Sequence, residues 1–428
     1  MQLYAGLPII TNKIAIEEQQ SIPHHLLGCI GLDVPTLVVG TFVKKALGVI
    51  DEIRSRGKLP ILVGGTHYYT QNLLFRENFG DLNDEKAESV EDIGETWPIL
   101  NEPTPVVLEE LKRVDPVMAD RWHPNDRRKI KRSLELYLQT GRKASDVYAE
   151  QRKARNVNRE PARCEEDLSR ADESSMRSPT LLFWVHARDE SLKERLNARV
   201  DGMVKQGLLD EVRTLDGFAQ AQEKAGKPVD MTRGIWVSIG YKEFKPYTDA
   251  LATGEFVDKQ LDTIKADALE RTKAATRQYA KRQLRWIRIK LVNALMQANA
   301  SKKLYLLDGS DVSAFDTRVV ESAVKLAGSF LTGSNPMPDP TSLSDAAAEM
   351  LTPTKDYDLA ATPAKWMREH CSVCNVTCVT QEQWSQHMKS KAHRKLVSKR
   401  NKTALQGIVN ENSHTSAQIQ SANRADPT

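Results

Sequence analysis

Two groups of residues in this chain have types and spacings that could do chemistry. The first is Cys371-x2-Cys374-x12-His387-x5-His393, the ligand spacing of a C2H2 zinc finger, in which two thiolates and two imidazoles close a tetrahedron around the ion. A module this small depends on its metal to fold. The second is Gly64-Gly65-Thr66, which follows the apolar run Leu59 to Val63 and precedes residues suited to a helix. The glycines permit a sharp turn and close approach of the backbone to a ligand, and Thr66 puts a hydroxyl where helix amides begin. At the carboxyl end of a buried parallel strand, this is where an open α/β sheet binds ligands. The same residues could equally do no more than join a strand to a helix.

Cations supply the other chemistry. Between Arg271 and Lys290 there are eight Lys or Arg and no acid. Arg277, Lys281, Arg285 and Arg288 recur as one helical stripe, with Tyr279 and Trp286 interleaved. Such a helix repels itself without a polyanionic partner, which favours nucleic acid over a solvated face. Arg127, Arg128, Lys129, Lys131 and Arg132 follow Asp126, a helix cap; they read as a solvated helix start or as a phosphate site beside exposed amides. Arg199 is either a surface ion-pair member or, if it faces the Thr66 turn, a bidentate phosphate ligand. From Lys365 to Lys402 nine Lys or Arg face two acids, and the long gap between the finger's histidines suits RNA more than reading of a DNA sequence.

The elements that must position these groups are α/β in type. Thr41 to Arg56 has helical periodicity and stops at Gly57, and Leu59 to Val63 reads as a buried parallel strand. From about Phe79 to Arg177 the composition turns charged and helical, ending in a loose polar stretch. Thr180 to His186 is a second buried-strand candidate, followed by a helix carrying Leu192, Leu196, Val200, Met203 and Val204 on one face. A long helix from about Lys259 to Met296 and a last strand in SKKLYLLDGSDVSAF complete the pattern. Gly333 to Thr362 reads as a linker.

At 428 residues and 40% hydrophobic, the chain can bury a sizeable core in two or three domains. Its formal charge of +4 means that any nucleic-acid surface comes from local clustering. Cys29, Cys164, Cys371, Cys374 and Cys378 give no disulfide framework, and three lie within eight residues; a reducing compartment is expected. No run approaches the roughly 18 apolar residues of a membrane span and no secretory signal opens the chain, so a soluble, intracellular protein without membrane partners is expected.

With these residues in view, the chain resembles the tRNA dimethylallyltransferases (tRNA isopentenyltransferases) in their eukaryotic form with a C-terminal zinc finger. The similarity runs from Met1 to about Lys402, on YAGLPIITNK, PHHLLG, LPILVGGTHYYTQNLL, HPNDRRKIKRSLELYLQTGRKASD, LNARVDGMVKQGLLDEV, IGYKEF, TRQYAKRQLRWIR and the finger. It implies a P-loop-kinase-like parallel sheet, with a helical insertion gripping the anticodon stem-loop. It further implies transfer of a dimethylallyl group from dimethylallyl diphosphate to N6 of the adenosine 3′ of the anticodon. Thr66 would stand at the reacting centre and Arg199 on the diphosphate. Arg128, Lys129 and Arg132 in the insertion would contact tRNA, as would Ser238, Gly240, Tyr241 and Lys242, and Arg277, Gln278, Lys281 and Arg282. Structural zinc in the finger, magnesium with the diphosphate, a monomeric state, and a cytoplasmic location with mitochondrial and nuclear pools complete the expectation.

The domains expected are a catalytic α/β body at 1–78 and 179–332, an insertion at 79–178, a linker at 333–362, the finger at 363–402 and a disordered tail at 403–428. One departure matters. The family's Gly-rich phosphate loop ends in Lys-Thr or Lys-Ser, and its general-base Asp lies in Asp-Ser-x-Gln; Gln2 aligns with that Gln. Both features would precede Met1, and no G-x-x-x-x-G-K-[ST] occurs in the chain. The expectation is a truncated form, with a tRNA-binding protein that lacks catalysis as the competing reading.

Overall fold

The computed structural model describes residues 1–34, 37, 39–76, 97–157, 176–333, 337–353 and 366–400. Residues 1–90 and 161–359 form one compact unit, and 91–160 with 360–428 a second. The expected insertion and finger thus share a unit. Cys164, the expected ends of the insertion at 79–96 and 158–175, and the tail 403–428 lie outside the described residues.

In chain order the first helices are α1 (Val39–Ser55), ended by Gly57 at φ +67°, and α2 (His67–Leu74). The insertion contains α3 (Thr104–Val114), α4 (Pro116–Arg121), α5 (Arg127–Thr140) and α6 (Ala144–Val157). Then come β1 (Leu182–His186), α7 (Asp189–Gln206), α8 (Leu208–Lys224), α9 (Tyr241–Thr253) and α10 (Asp258–Trp286). Helix α10 runs through a π-helical segment, Ile287–Leu291, into α11 (Val292–Gln297). β2 (Leu304–Asp308), α12 (Ser322–Thr332) and α13 (Asp345–Leu351) close the first unit. The finger is β3 (Trp366–Cys371), β4 (Val376–Thr380) and α14 (Gln381–Lys389), with a further helix at 391–400.

β1 and β2 pair in parallel, Leu182 opposite Leu304 and His186 opposite Asp308. Both were legible as strands, but the expected third, Leu59 to Val63, is not formed. Those residues have no strand assignment, and Ile61 and Val63 are 77% and 86% exposed. A parallel strand needs a neighbour on its edge and cover on both faces, and among the described residues none pairs with this run. β1 is likewise covered on one face only: Trp184 and His186 are buried, whereas Phe183 and Val185 are exposed.

The linker reading also changes. Residues 337–353 carry α13, whose Ala347 is fully buried against the cluster of Phe75, Trp184, Ile287, Leu304 and Leu306. Tyr305 donates its hydroxyl to the Pro338 carbonyl at 2.9 Å. Composition suggested a linker because Pro and Ser are frequent there, yet Ala346, Ala347, Met350 and Leu351 give the segment one apolar face.

Another core of this unit joins the opening residues Tyr4, Leu7, Ile10 and Ile30 to Leu208, Val212 and Leu215 of α8 and to Ile235, Trp236, Tyr241 and Phe244. The opening segment has little regular structure, so its amides need partners elsewhere. Glu211, buried on α8, supplies them: its carboxylate oxygens accept from Ile9 N at 2.9 Å and Ile10 N at 2.7 Å. Ile10 in turn packs against Gly240, whose φ of +108° favours glycine. The motifs YAGLPIITNK and IGYKEF are therefore two sides of one contact.

Two stability measurements follow from this packing. Glu211→Ala leaves two amides without an acceptor and is expected to lower the unfolding free energy by about 2–4 kcal/mol, read by urea denaturation with Trp fluorescence, Glu211→Gln losing less. His186 is buried and its pKa is held below the usual imidazole value, chiefly by burial, with Arg288 acting the same way and Asp308, Asp189 and Glu349 opposing. The unfolded chain then binds a proton at higher pH than the folded one does. His186 thus contributes nothing above about pH 7.5, and stability falls as pH drops through about 6.5 towards the lower folded value. Thermal melts from pH 7.5 to 5.5 should show this fall, and His186→Gln should lessen it.

Candidate RNA and donor site with a zinc centre

The Thr66 turn is held from two sides. Thr66 precedes α2 with φ −86° and ψ 78°; its hydroxyl makes no bond to the helix amides, while its carbonyl accepts from Tyr69 N at 2.9 Å and Thr70 N at 3.3 Å. Gly64, Gly65 and Thr66 are exposed. Gln283 of α10 donates its side-chain amide to the Gly65 carbonyl, and Trp286 Nε1 donates to the buried Gln71 Oε1 at 3.0 Å. Around α2 the rings of Phe42, Tyr68, Tyr69 and Trp286 meet edge to face, with centroids 5.0 to 6.2 Å apart. His67, half-buried beside Thr66, has its pKa lowered by burial and is neutral at pH 7. The turn thus offers an uncommitted hydroxyl, a neutral imidazole and aromatic surface, a combination suited to an apolar group carrying a polar head.

Helix α10 has two characters. Ala268, Thr272 and Thr276 form its buried stripe, and the two threonine hydroxyls donate to carbonyls one turn back at 2.8 Å each. Helices α7 and α9 pack against it. The cations are less isolated than their sequence suggests, since acids of other residues reach them. Lys273 pairs with Asp201 of α7 at 2.8 Å and with Glu270, Arg271 pairs with Asp267, and Arg277 donates to Asn197 Oδ1 at 2.6 Å. Gln278, Lys281, Arg282 and Arg285 are exposed. Arg199 is exposed on α7, about 200° round that helix from both Asn197 and Asp201, so it projects away from their contacts with α10.

The residues expected to touch tRNA near α9 divide. Ser238 and Tyr241 are 3% and 2% exposed. Tyr241 donates its hydroxyl to Asp216 at 2.9 Å, which Thr248 also reaches at 2.8 Å and Lys245 at 3.3 Å. Burial and the Asp216 carboxylate push the Tyr241 phenol well above its ordinary pKa. Gly240 starts α9, its amide capped by Glu243 at 2.8 Å. The Ser238 and Tyr241 side chains and the Gly240 backbone are buried, Gly240 against Ile10 and Leu208, and Lys242 alone of the four is exposed.

In the second unit, Leu108, Leu111, Ile130 and Leu134 centre the insertion. Asp115, 1% exposed, accepts from Met118 N at 3.2 Å and Ser145 N at 2.9 Å, tying α4 to α6. Asp126 caps α5 through Lys129 N. Arg127 is structural: it donates to the carbonyls of Glu102 at 2.6 Å and Leu100 at 3.1 Å. Arg128 and Lys129 are exposed, Lys129 lying 2.9 Å from Asp126 and over the Trp122 ring at 5.1 Å, whereas the half-buried Arg132 pairs with Glu135 at 3.1 Å. Arg121 stacks between Trp122 and Tyr148, at 4.5 and 4.6 Å from the ring centres. β3 of the finger packs against α4.

Cys371, Cys374, His387 and His393 come together in the finger, with one ligand atom of each within 4.8 Å of all the others. Cys374 Sγ lies 3.3 Å from His393 Nδ1. His387 Nε2 is buried without a hydrogen-bond partner, as a nitrogen reserved for a metal would be. The Cys371 thiol is held down to about 6, chiefly by a hydrogen bond with His387, whereas burial and the neighbouring Cys371 push the Cys374 thiol up. The residues fit zinc. Cys378 is buried, its thiol pushed up by burial, and stands outside the four as a packing residue. Among the described residues no other group of three or more His, Cys, Asp or Glu is gathered for a metal.

Sequence reasoning missed Gln283, Trp286 as a hydrogen-bond donor, Asp216 and Glu211, whose partners lie 25 to 218 residues away. No local pattern marks such pairs.

Comparison with known proteins supplies the lineage. The family model for IPP transferase matches residues 2–290, and one for a double-stranded RNA-binding zinc finger matches residues 371–394. A tRNA dimethylallyltransferase of Schizosaccharomyces pombe is 40% identical over 67% of this chain and 60% of its own length. That of Saccharomyces cerevisiae is 31% identical over 92% of this chain and 83% of its own, and that of Homo sapiens 30% identical over 94% and 79%. A solved eukaryotic dimethylallyltransferase acting on tRNA superposes with a TM-score of 0.73 at 28% identity, covering 96% of this chain and 91% of the other. With a family model spanning most of its α/β body and relatives matching almost end to end, the chain belongs to the IPP transferase family.

Proposed function

We propose that this protein is a tRNA dimethylallyltransferase that prenylates N6 of the adenosine 3′ of the anticodon, using dimethylallyl diphosphate. The single observation that carries the reading is the match to tRNA dimethylallyltransferases through both the α/β body and the finger. The chemistry is displacement at an allylic carbon: the N6 amine forms a C–N bond, the C–O bond to diphosphate breaks, and the amine's extra proton goes to a base. The target base must leave its stack to be reached. Thr66, with a hydroxyl not engaged by its own helix, is proposed to hold the amine or the diphosphate, and the exposed Arg199 to bind the leaving diphosphate. Magnesium would arrive on the diphosphate, because that ion keeps its waters and binds mainly through substrate phosphates.

RNA would be held by Arg128, Lys129 and Arg132, by Lys242, and by Arg277, Gln278, Lys281 and Arg282. Ser238, Gly240 and Tyr241 serve by shaping the turn that presents Lys242. Arg132 and Arg277 would exchange their present partners, Glu135 and Asn197, for phosphate. The finger, with its ligands gathered, would add backbone contacts from Lys389, Lys391, Arg394 and Lys395, all exposed. The protein is proposed to act as a monomer in the cytoplasm, with mitochondrial and nuclear pools, where free Cys29 and the finger thiols stay reduced.

A second reading has its own observation. Arg128 and Lys129 of the insertion and Lys281, Arg282 and Arg285 of α10 are exposed cations that would hold RNA whether or not transfer follows, which supports an RNA-binding chain without turnover. Single-turnover prenyl transfer to an unmodified anticodon stem-loop separates the two. Transfer by the 428-residue chain, lowered by about 100-fold in Thr66→Ala, is the expected result; tight RNA binding with no transfer selects the second reading. One zinc per chain is expected by elemental analysis. Cys374→Ser or chelation should abolish the finger's ordered structure by circular dichroism and weaken stem-loop binding, while unchanged RNA affinity would remove the finger from the binding surface.

A further inference from the structure

Helix α10 carries its exposed cations on one side and holds the donor-site turn on the other. Lys281 and Arg285 lie about 200° round the helix from Gln283 on either side of it in sequence, and both are exposed. Gln283 donates to the Gly65 carbonyl across 218 residues. The fit is close: a Cβ at Gly65 would stand 2.8 Å from Gln283 Nε2. One turn on, Trp286 reaches Gln71 at 3.0 Å and meets Tyr68 edge-on, so α2 is held both before its first residue and at its second turn. The π-helical segment begins immediately beyond, at Ile287.

We propose that Gln283 is a positioning residue, coupling RNA held on the exposed face of α10 to the placement of the Thr66 hydroxyl. Its amide fixes the Gly65 carbonyl, and with it the turn that presents Thr66, to the same rigid helix that carries Gln278, Lys281 and Arg282. The kinetic consequence rests on the prenyl-transfer reading above; the mechanical link does not, and the two can fail separately.

The test uses the full chain and Gln283→Glu, which keeps the side chain's shape but sets an acceptor against a carbonyl. Gln283→Lys restores a donor of similar reach. Amide exchange is followed at Tyr69 and Thr70, which bond to the Thr66 carbonyl, with and without an unmodified anticodon stem-loop. The expected result is faster exchange at these amides in Gln283→Glu and loss of the slowing that RNA produces in the unsubstituted protein. RNA affinity and melting temperature should be unchanged, single-turnover transfer should fall about 10- to 100-fold, and Gln283→Lys should recover both exchange and rate. Unchanged exchange at Tyr69 and Thr70 in Gln283→Glu overturns the proposal, as does a joint fall of melting temperature, affinity and rate that Gln283→Lys leaves uncorrected. If the unsubstituted chain binds RNA without transfer, the enzymatic reading fails and the RNA-dependent exchange decides the link. If it binds no RNA, the coupling is rejected, and the RNA-free exchange difference then reports only whether Gln283 holds the turn.

Discussion

A cationic helix can be buried on one side only if that side offers small groups with no unmet polar demand. In Asp258–Trp286 this condition is met by Ala268, Thr272 and Thr276, whose hydroxyls bond to their own helix one turn back. Small side chains let Asp189–Gln206 and Tyr241–Thr253 pack closely, and hydroxyls satisfied internally remove the cost of burying them. With that face committed, the cations are left to the solvent side and to the rim, where Asp201 and Asn197 receive Lys273 and Arg277. The Thr66 turn, the aromatic cluster around it and the inward-turned IGYKEF loop all take their positions from this helix or from elements packed on it.

Charge is distributed in two tiers. Rim cations such as Lys273 and Arg277 have acid or amide partners and orient the helix, whereas Lys281, Arg282 and Arg285 stand in solvent. The insertion repeats the arrangement. Arg127 binds backbone carbonyls and Arg121 is stacked between rings, while Arg128 and Lys129 are presented outward. In both places a run of like charge is tolerable because part of it is consumed internally. The formal charge of +4 for the whole chain conceals this local structure.

The finger obeys a different physics. Among the described residues its hairpin and short helix bury little beyond Cys371, Cys378 and His393, a small core for a module to rest on. The four ligand atoms are nevertheless gathered, and His387 Nε2 is left without a hydrogen-bond partner; this is the arrangement expected where metal binding and folding are one event.

Local pattern alone determined a good deal: the helix ending at Gly57, the cap of Arg127–Thr140 by Asp126, strands Leu182–His186 and Leu304–Asp308, and the finger ligands. Each depends on residues within a few positions of one another, or on a fixed ligand spacing. Tertiary structure decided the rest. Leu59 to Val63 reads as a strand, but a strand exists only with a partner on its edge, and the described residues supply none. Residues 337–353 read as a linker by composition, yet Ala347 found a core to enter. Tyr241 reads as a contact residue, but Asp216 on another helix draws its hydroxyl inward. Glu211 and Gln283 carried no signal, because a carboxylate or amide that bonds to a backbone group some 200 residues away leaves no period and no motif. Sequence specifies which groups are able to bond; only the closed chain decides which of them meet.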